Sequence, residues 1–199
     1  MSEHYFSADP SSAFTVVPME AAVWGRQLRL QTAAGVFARG RLDIGTAVLF
    51  ERTSPPTTGR TFLDLGCGYG VIAVSLALAR PGAQVWAVDV NERALELTRR
   101  NAEATGVGER VQVATPDAVP AGVCFDGIWS NPPIRVGKAE LHAMLLRWFD
   151  RLAPAGEAVM VVGKNLGADS LQRWLSEQGY PTERLSSAKT FRVLRSTRV

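Results

Sequence analysis

Thr61-Phe62-Leu63-Asp64-Leu65-Gly66-Cys67-Gly68-Tyr69-Gly70, followed by Val71-Ile72-Ala73-Val74-Ser75-Leu76-Ala77-Leu78-Ala79, reads as strand, glycine turn and helix in direct succession. Glycines at alternate positions let the backbone turn tightly and approach a ligand with no Cβ in the way. The helix start behind them offers unpaired N–H groups. The spacing is G-x-G-x-G rather than G-x-G-x-x-G, and Asp64 stands just before the first glycine. A carboxylate there repels a pyrophosphate but accepts from an ammonium, which disfavours a dinucleotide and favours an amino-acid-bearing, nucleoside-like cofactor. Outward from this unit, strands and helices alternate from residue 59 onward, the pattern of a doubly wound, mostly parallel α/β sheet. Strands are expected near 61–65, 84–89, 110–115, 124–130 and 157–163, with helices near 70–79, 91–105, 138–152 and 168–178. The alternating apolar positions of the tail, 182–199, predict a closing antiparallel hairpin.

The second strand, Gln84-Val85-Trp86-Ala87-Val88, ends in Asp89-Val90, roughly the twenty-residue spacing at which an acid takes the hydroxyls of a ribose. Asn91 is available to cap the helix that follows, which frees Asp89 for a ligand. Asp117-Ala118 closes the loop after the third strand, where a side-chain acceptor and a backbone N–H can read an adenine edge; Asp after Pro116 is equally an ordinary turn former. The candidate cofactor residues are thus Asp64, Gly66, Cys67, Gly68, Gly70, Asp89, Val90, Asp117 and Ala118, all beyond strand ends, where ligands of parallel sheets bind.

Phe125-Asp126-Gly127-Ile128-Trp129-Ser130 runs into Asn131-Pro132-Pro133-Ile134. Two prolines at a strand end surrender two backbone donors and fix φ twice, so the turn is stiff and its carbonyls are held in place. The Asn131 side-chain oxygen and the Pro132 carbonyl can together accept from the hydrogens of a planar exocyclic amine or an amide. Asn131, Pro132 and Pro133 are therefore the candidate catalytic residues, and Asn131 also borders the cofactor. Arg135 and Lys138 follow directly and can meet phosphates.

The order D-L-G-C-G-Y-G, V-D-V-N, S-N-P-P-I resembles the class I S-adenosylmethionine-dependent methyltransferases that methylate amines. His4-Tyr5-Phe6-Ser7, Gly35-Val36-Phe37-Ala38-Arg39 and Leu42-Asp43-Ile44-Gly45-Thr46 are similar to N-terminal signatures of the small methyltransferase domain found in ribosomal RNA small-subunit methyltransferase C. The resemblance implies a Rossmann-like methyltransferase fold, S-adenosylmethionine as cofactor, N2 of guanine in ribosomal RNA as acceptor, and ribosomal RNA or the small ribosomal subunit as partner. The family often has Phe or Tyr after N-P-P where this chain has Ile134, leaving Ile134 as an apolar shelf, with Phe37, Phe6 or Tyr5 to stack on the base. The expected chemistry is direct in-line transfer, with no covalent intermediate and no obligatory base beside Asn131. Protein glutamine and DNA adenine are alternative acceptors of similar geometry, and a non-catalytic RNA-binding or assembly protein on the same scaffold is the reading from another class.

Composition narrows the rest. With 199 residues, 46% hydrophobic, the chain can bury one full core, and a single domain is expected, residues 1–58 forming a lid or extension and 59–199 the catalytic core. Within the first part, 27–32 reads as an exposed strand, 42–53 as a short amphipathic helix and 54–59 as a linker. No stretch reaches the ~18–20 apolar residues of a membrane span, and the opening residues lack a signal peptide's pattern, so a cytoplasmic protein is predicted. Cys67, in the glycine turn, and Cys124, in an expected core strand, form no metal or disulfide spacing; both are predicted reduced, and no metal is expected. A monomer is favoured. The net charge of +3 is too mild to indicate nucleic acid by itself. Placement says more: Arg26, Arg29, Arg39 and Arg41 lie in the lid, and Lys189, Arg192, Arg195 and Arg198 crowd the tail.

Overall fold

The computed structural model describes residues 15–36, 38, 40–133 and 136–198. Its central sheet has seven strands: β3 (Thr61–Leu65), β4 (Gln84–Val88), β5 (Val111–Ala114), β6 (Phe125–Ser130), β7 (Leu152–Gly163), β8 (Thr182–Ala188) and β9 (Phe191–Thr197). Their order across the sheet is β5-β4-β3-β6-β7-β9-β8. The first five are parallel, and the β8–β9 hairpin adds on antiparallel, as the tail's alternation predicts. Strand order reverses between β3 and β6, so the ends of these two strands lie side by side with a crevice beyond them.

Two apolar layers form because alternate residues of a strand face opposite sides. Phe62, Trp129, Val159, Val161 and Val193 face one layer, with α2 (Val71–Ala79) and α3 (Glu92–Ala104). Leu63, Ile128, Met160, Val162 and Leu194 face the other, with α4 (Lys138–Phe149) and α5 (Ala168–Glu177). Trp148, Phe125 and Phe149 are fully buried there. Each such side chain contributes about 1.5–3 kcal/mol through removal from water.

The segment before β3 holds β1 (Val16–Val23) and β2 (Arg26–Ala33), an antiparallel pair, and α1 (Ile44–Glu51). Leu28 and Leu30 alternate inward along β2 as expected of a half-exposed strand, whereas β1 carries Pro18 and no strong signal. Trp24, in the turn between them, donates Nε1–H to the Thr53 carbonyl at 3.0 Å and meets Phe50 and Trp129 edge to face, with ring centroids 5.1 and 5.3 Å away. Asn101 of α3 closes the other side: it accepts from Gln31 N at 2.7 Å and donates to the carbonyls of Gln31 and Tyr69.

Three local expectations are corrected. The helix in 42–53 is not amphipathic; Gly45, Thr46, Val48, Leu49 and Phe50 are all buried, because α1 packs against β7 and β9 on one side and Trp24 on another. The fifth parallel strand starts at Leu152 rather than near 157, running through Pro154-Ala155-Gly156 with Ala155 at φ 61° and a register shift opposite Phe125 and Gly127. Cys124 is exposed and precedes β6 instead of lying in the core, since the strand begins at Phe125. Both cysteines are free.

Candidate functional site

The chain leaves β3 at Leu65, and the turn is pinned at once to β4, Gly66 N and Cys67 N both donating to the Val88 carbonyl at 2.8 and 3.0 Å. Gly66, Gly68 and Gly70 have φ of 76°, 57° and 84°, the left-handed region that disfavours any side chain. At Gly70 space forbids one as well: an added Cβ would lie 2.7 Å from Thr98 Cγ2. Gly70→Ala is therefore expected to cost about 1–3 kcal/mol in a urea titration, through strain and overpacking together. Thr98 is held there by donating its hydroxyl to the Gly68 carbonyl at 3.1 Å.

Asp64 is fully buried, with Oδ2 accepting from Ala73 N at 2.9 Å and Oδ1 without a partner among the described residues. Burial, reinforced by the nearby charge of Asp89 and offset in part by the Ala73 N–H, pushes its carboxyl up to about 8. A carboxyl so placed fits a cationic ligand group, which would restore its charged form. The Tyr69 hydroxyl is likewise buried without a partner, its phenol raised by burial and then by the charges of Asp43 and Asp64. Two orphaned polar atoms beside a glycine turn are what a pocket for the amino-acid end of a cofactor requires.

Asp89 ends β4 with Oδ2 on Gly68 N and Oδ1 on Asn91 N, both at 3.0 Å. Burial raises its carboxyl, while the N–H groups of Asn91, Gly68 and Val90 hold it down. Asn91 caps α3 by accepting from Arg93 N and Ala94 N, so the cap role falls to Asn91 and Asp89 keeps lone pairs for ribose hydroxyls. Val90 beside it is 48% exposed, an apolar surface at the position expected for a base. Asn91 Nδ2 also donates to the Gly35 carbonyl at 2.9 Å, drawing the segment before β3 against this loop. Asp117 and Ala118 are exposed, and the Asp117 carboxylate engages Arg147 of α4 at 2.8 Å rather than turning to Asp89. Burial and the charges of Asp89 and Asp64 raise the Cys67 thiol well above its ordinary value, which keeps it protonated and unsuited to nucleophilic attack.

The N-P-P turn adjoins the glycine turn. Ser130 Oγ donates to the Leu65 carbonyl at 2.7 Å, tying the ends of β6 and β3, and a Cβ on Gly66 would lie 3.7 Å from Pro133 Cδ. Asn131 Nδ2 donates to Asp43 Oδ2 at 2.8 Å and Thr46 Oγ1 at 2.9 Å, and no described residue donates to its Oδ1. The contacts of Asp43 and Thr46, like those of Asn101, Thr98 and Tyr69, join residues too far apart in sequence to be read from spacing. Asp43's cap position before a helix was the one local signal. Phe191, half-buried at the start of β9, reaches the same corner: a Cβ on Gly45 would lie 3.0 Å from Phe191 Cε1 and 3.4 Å from Asn131 Nδ2. Lys138 is exposed at the start of α4. Ile134, Arg135, Phe37, Phe6 and Tyr5 lie outside the described residues.

The tail's basic residues are divided between the two ends of β9. Because β9 runs antiparallel, Arg198 sits at the far end of the sheet, donating to the carbonyls of Asp150 and Leu152, while Arg195, level with Val159 and Trp129, is taken up by Glu183 and Glu157. Only Lys189 and Arg192 lie at the near end, and Lys164 joins them there through its backbone bond to Thr190. Among the described residues no helix is long and apolar enough to cross a membrane, and no group of three or more His, Cys, Asp or Glu could hold a metal.

Comparison with known proteins agrees with this geometry. The chain is 33% identical to the uncharacterised protein YbxB of Bacillus subtilis over the full length of both. It is 36% identical to the ribosomal RNA small subunit methyltransferase C of Hahella chejuensis over 86% of this chain and 50% of the relative. The Thermus thermophilus 16S rRNA N2 G1207 methyltransferase, solved with AdoMet and guanosine, superposes with a TM-score of 0.79 at 24% identity, covering 96% of this chain and 52% of that one. The chain thus spans about half the length of these two enzymes and the whole of the Bacillus protein. The methyltransferase small domain matches residues 27–195, taking in the glycine turn, Asp89, the N-P-P turn and the closing hairpin together, and the chain belongs to that family.

Proposed function

We propose that this chain transfers a methyl group to an exocyclic amine of a nucleobase, N2 of guanine in small-subunit ribosomal RNA, with the RNA or the assembled subunit as its partner. The observation that carries the reading is the Asn131 carboxamide, held by its nitrogen with no described residue donating to its oxygen, in a turn that adjoins the glycine turn. S-adenosylmethionine, the methyl donor, supplies an electrophilic methyl on a sulfonium. Asn131 Oδ1 and the Pro132 carbonyl accept from the two amine hydrogens and favour a lone pair directed at that methyl. When the cofactor is bound, Asp64 would hold its ammonium and Asp89 its ribose hydroxyls. The amine's proton leaves once nitrogen has become cationic, so no side chain has to remove it first.

Phe191, at the same corner as Asn131, offers the base an aromatic shelf, and the 53% exposed Ile44 stands next to Gly45 in sequence. Lys138, Lys164 and Lys189 are exposed around this mouth and suit backbone phosphates. Phe191→Ala is expected to raise KM for RNA by an amount matching the loss of about 1–3 kcal/mol of stacking, with KM for S-adenosylmethionine unchanged. Steady-state kinetics with each substrate varied in turn checks it.

The direct test is transfer of labelled methyl to RNA, DNA and protein fractions from cells lacking this gene, followed by nucleoside analysis. Label recovered as N2-methylguanine supports the proposal. Label in DNA adenine or protein glutamine moves the acceptor, and cofactor binding with label in no fraction points to a binding role.

A further inference from the structure

We infer that Asp43 and Thr46, at the start of α1, are positioning residues that fix which end of the Asn131 amide faces the acceptor; the inference rests on the role proposed for Asn131. A primary carboxamide has two donors at one end and an acceptor at the other, and a half turn about its last torsion exchanges them. Only one orientation serves a substrate amine, because the flipped one sets donors against donors. Local stiffness from the two prolines fixes the backbone of the turn but not this torsion.

The choice is made by a segment 88 residues away in sequence. Asp43 Oδ2 stands 2.8 Å from Asn131 Nδ2, and Thr46 Oγ1 stands 2.9 Å from it on the same end of the amide. A carboxylate has lone pairs and no hydrogen, so a flipped Asn131 would press its oxygen against Asp43, whereas the Thr46 hydroxyl could rotate and donate. Asp43 is therefore the discriminating partner and Thr46 the supporting one. Asp43 is itself held, as the cap of α1, by accepting from Thr46 N at 3.0 Å. Gly45 leaves the room: a Cβ there would meet Asp43 Oδ2 and Phe191 Cε1 at 3.0 Å and Asn131 Nδ2 at 3.4 Å. Donation to a carboxylate also polarises the amide, shifting electron density toward Oδ1 and strengthening it as an acceptor.

Asp43→Ser tests this because serine still caps the helix but is too short to reach Asn131. It is expected to lower kcat for RNA methylation roughly 10- to 100-fold, with the rise in Tm caused by S-adenosylmethionine unchanged. Thr46→Val should give a smaller fall, and Thr46→Ser should restore the rate. A readout independent of the acceptor is the Asn131 side-chain NH2 in 15N spectra. Its two protons should exchange slowly with water in the wild type and rapidly in Asp43→Ser. Wild-type kcat in Asp43→Ser, or an Asn131 NH2 whose exchange ignores that change, overturns the inference. A protected NH2 that Asp43→Ser releases, in an enzyme that labels no RNA, upholds the positioning role and removes the RNA acceptor instead.

Discussion

Asn131→Ala is expected to lower kcat for methyl transfer by roughly 10²–10³-fold, the range for loss of one preorganised polar group at a reacting centre, while S-adenosylmethionine affinity stays within a few-fold of wild type. The asymmetry follows from geometry. The cofactor residues Asp64, Gly68 and Asp89 are set by their own bonds to Ala73 N, to each other and to Asn91 N, none of which passes through Asn131. The substitution empties the acceptor side alone and strips Asp43 and Thr46 of the donor they share. The half-buried Asp43 carboxylate, left with the Thr46 N–H, loses one of its two donors, a stability cost of about 1 kcal/mol visible as a lower Tm with or without cofactor. Asn131→Asp should be as inactive and less stable, because it sets a second carboxylate against Asp43. Equal losses in kcat and cofactor affinity on Asn131→Ala would remove Asn131 from the acceptor side. Calorimetry beside single-turnover kinetics separates the two.

Asp64→Asn carries the second large effect, and its signature is a pH dependence. In the folded, ligand-free protein Asp64 titrates near 8, whereas in the unfolded chain it titrates near the ordinary carboxylate value of about 3.9. Between those values the folded state holds a proton that the unfolded state has released. This part of the stability is thus fully present at pH 4 and is lost as pH rises toward 8, by at most ~1.4 kcal/mol per unit. Urea titrations from pH 5 to 8 should show that slope in wild type and a flatter curve in Asp64→Asn, with the variant the more stable at the alkaline end. Binding runs the other way. With Asp64 ionised against the ammonium, as proposed, S-adenosylmethionine binding to wild type should release a proton below pH 8 and weaken as pH falls, by up to about tenfold per unit. Asp64→Asn should abolish that slope and cost about 2–5 kcal/mol of affinity at pH 8, as for truncation of a buried charge pair. Equal affinity of the two proteins at pH 8 would place the ammonium elsewhere.

The parts legible in the sequence are those whose cause is local. Alternating apolar runs and left-handed glycines lie within a few residues of what they determine, so β3, the glycine turn, α2, β4 and α3 stand where the pattern puts them. Asn91 as cap and the closing hairpin were readable for the same reason. What escaped depends on distant partners. The helix α1 looks amphipathic until β7, β9 and Trp24 enclose it, and Pro154-Ala155-Gly156 reads as a turn because only pairing with β6 keeps β7 going through it. Arg195 and Arg198 look like a basic tail until Glu157 and Glu183 take up the first and the antiparallel course of β9 carries the second away from the mouth. The candidate site divides along the same line: its cofactor half is written in two short motifs, whereas the bonds from Asn131 to Asp43 and Thr46 cross 88 and 85 residues and leave no trace in spacing.

That corner joins three distant stretches of chain: the start of α1 with Asp43 and Thr46, the N-P-P turn with Asn131, and the start of β9 with Phe191. The bonds of the glycine turn to Asp89 and Thr98 cross only 21 and 30 residues. Loss of the closing hairpin is thus expected to open the Asn131 corner while leaving the bonds of the glycine turn in place.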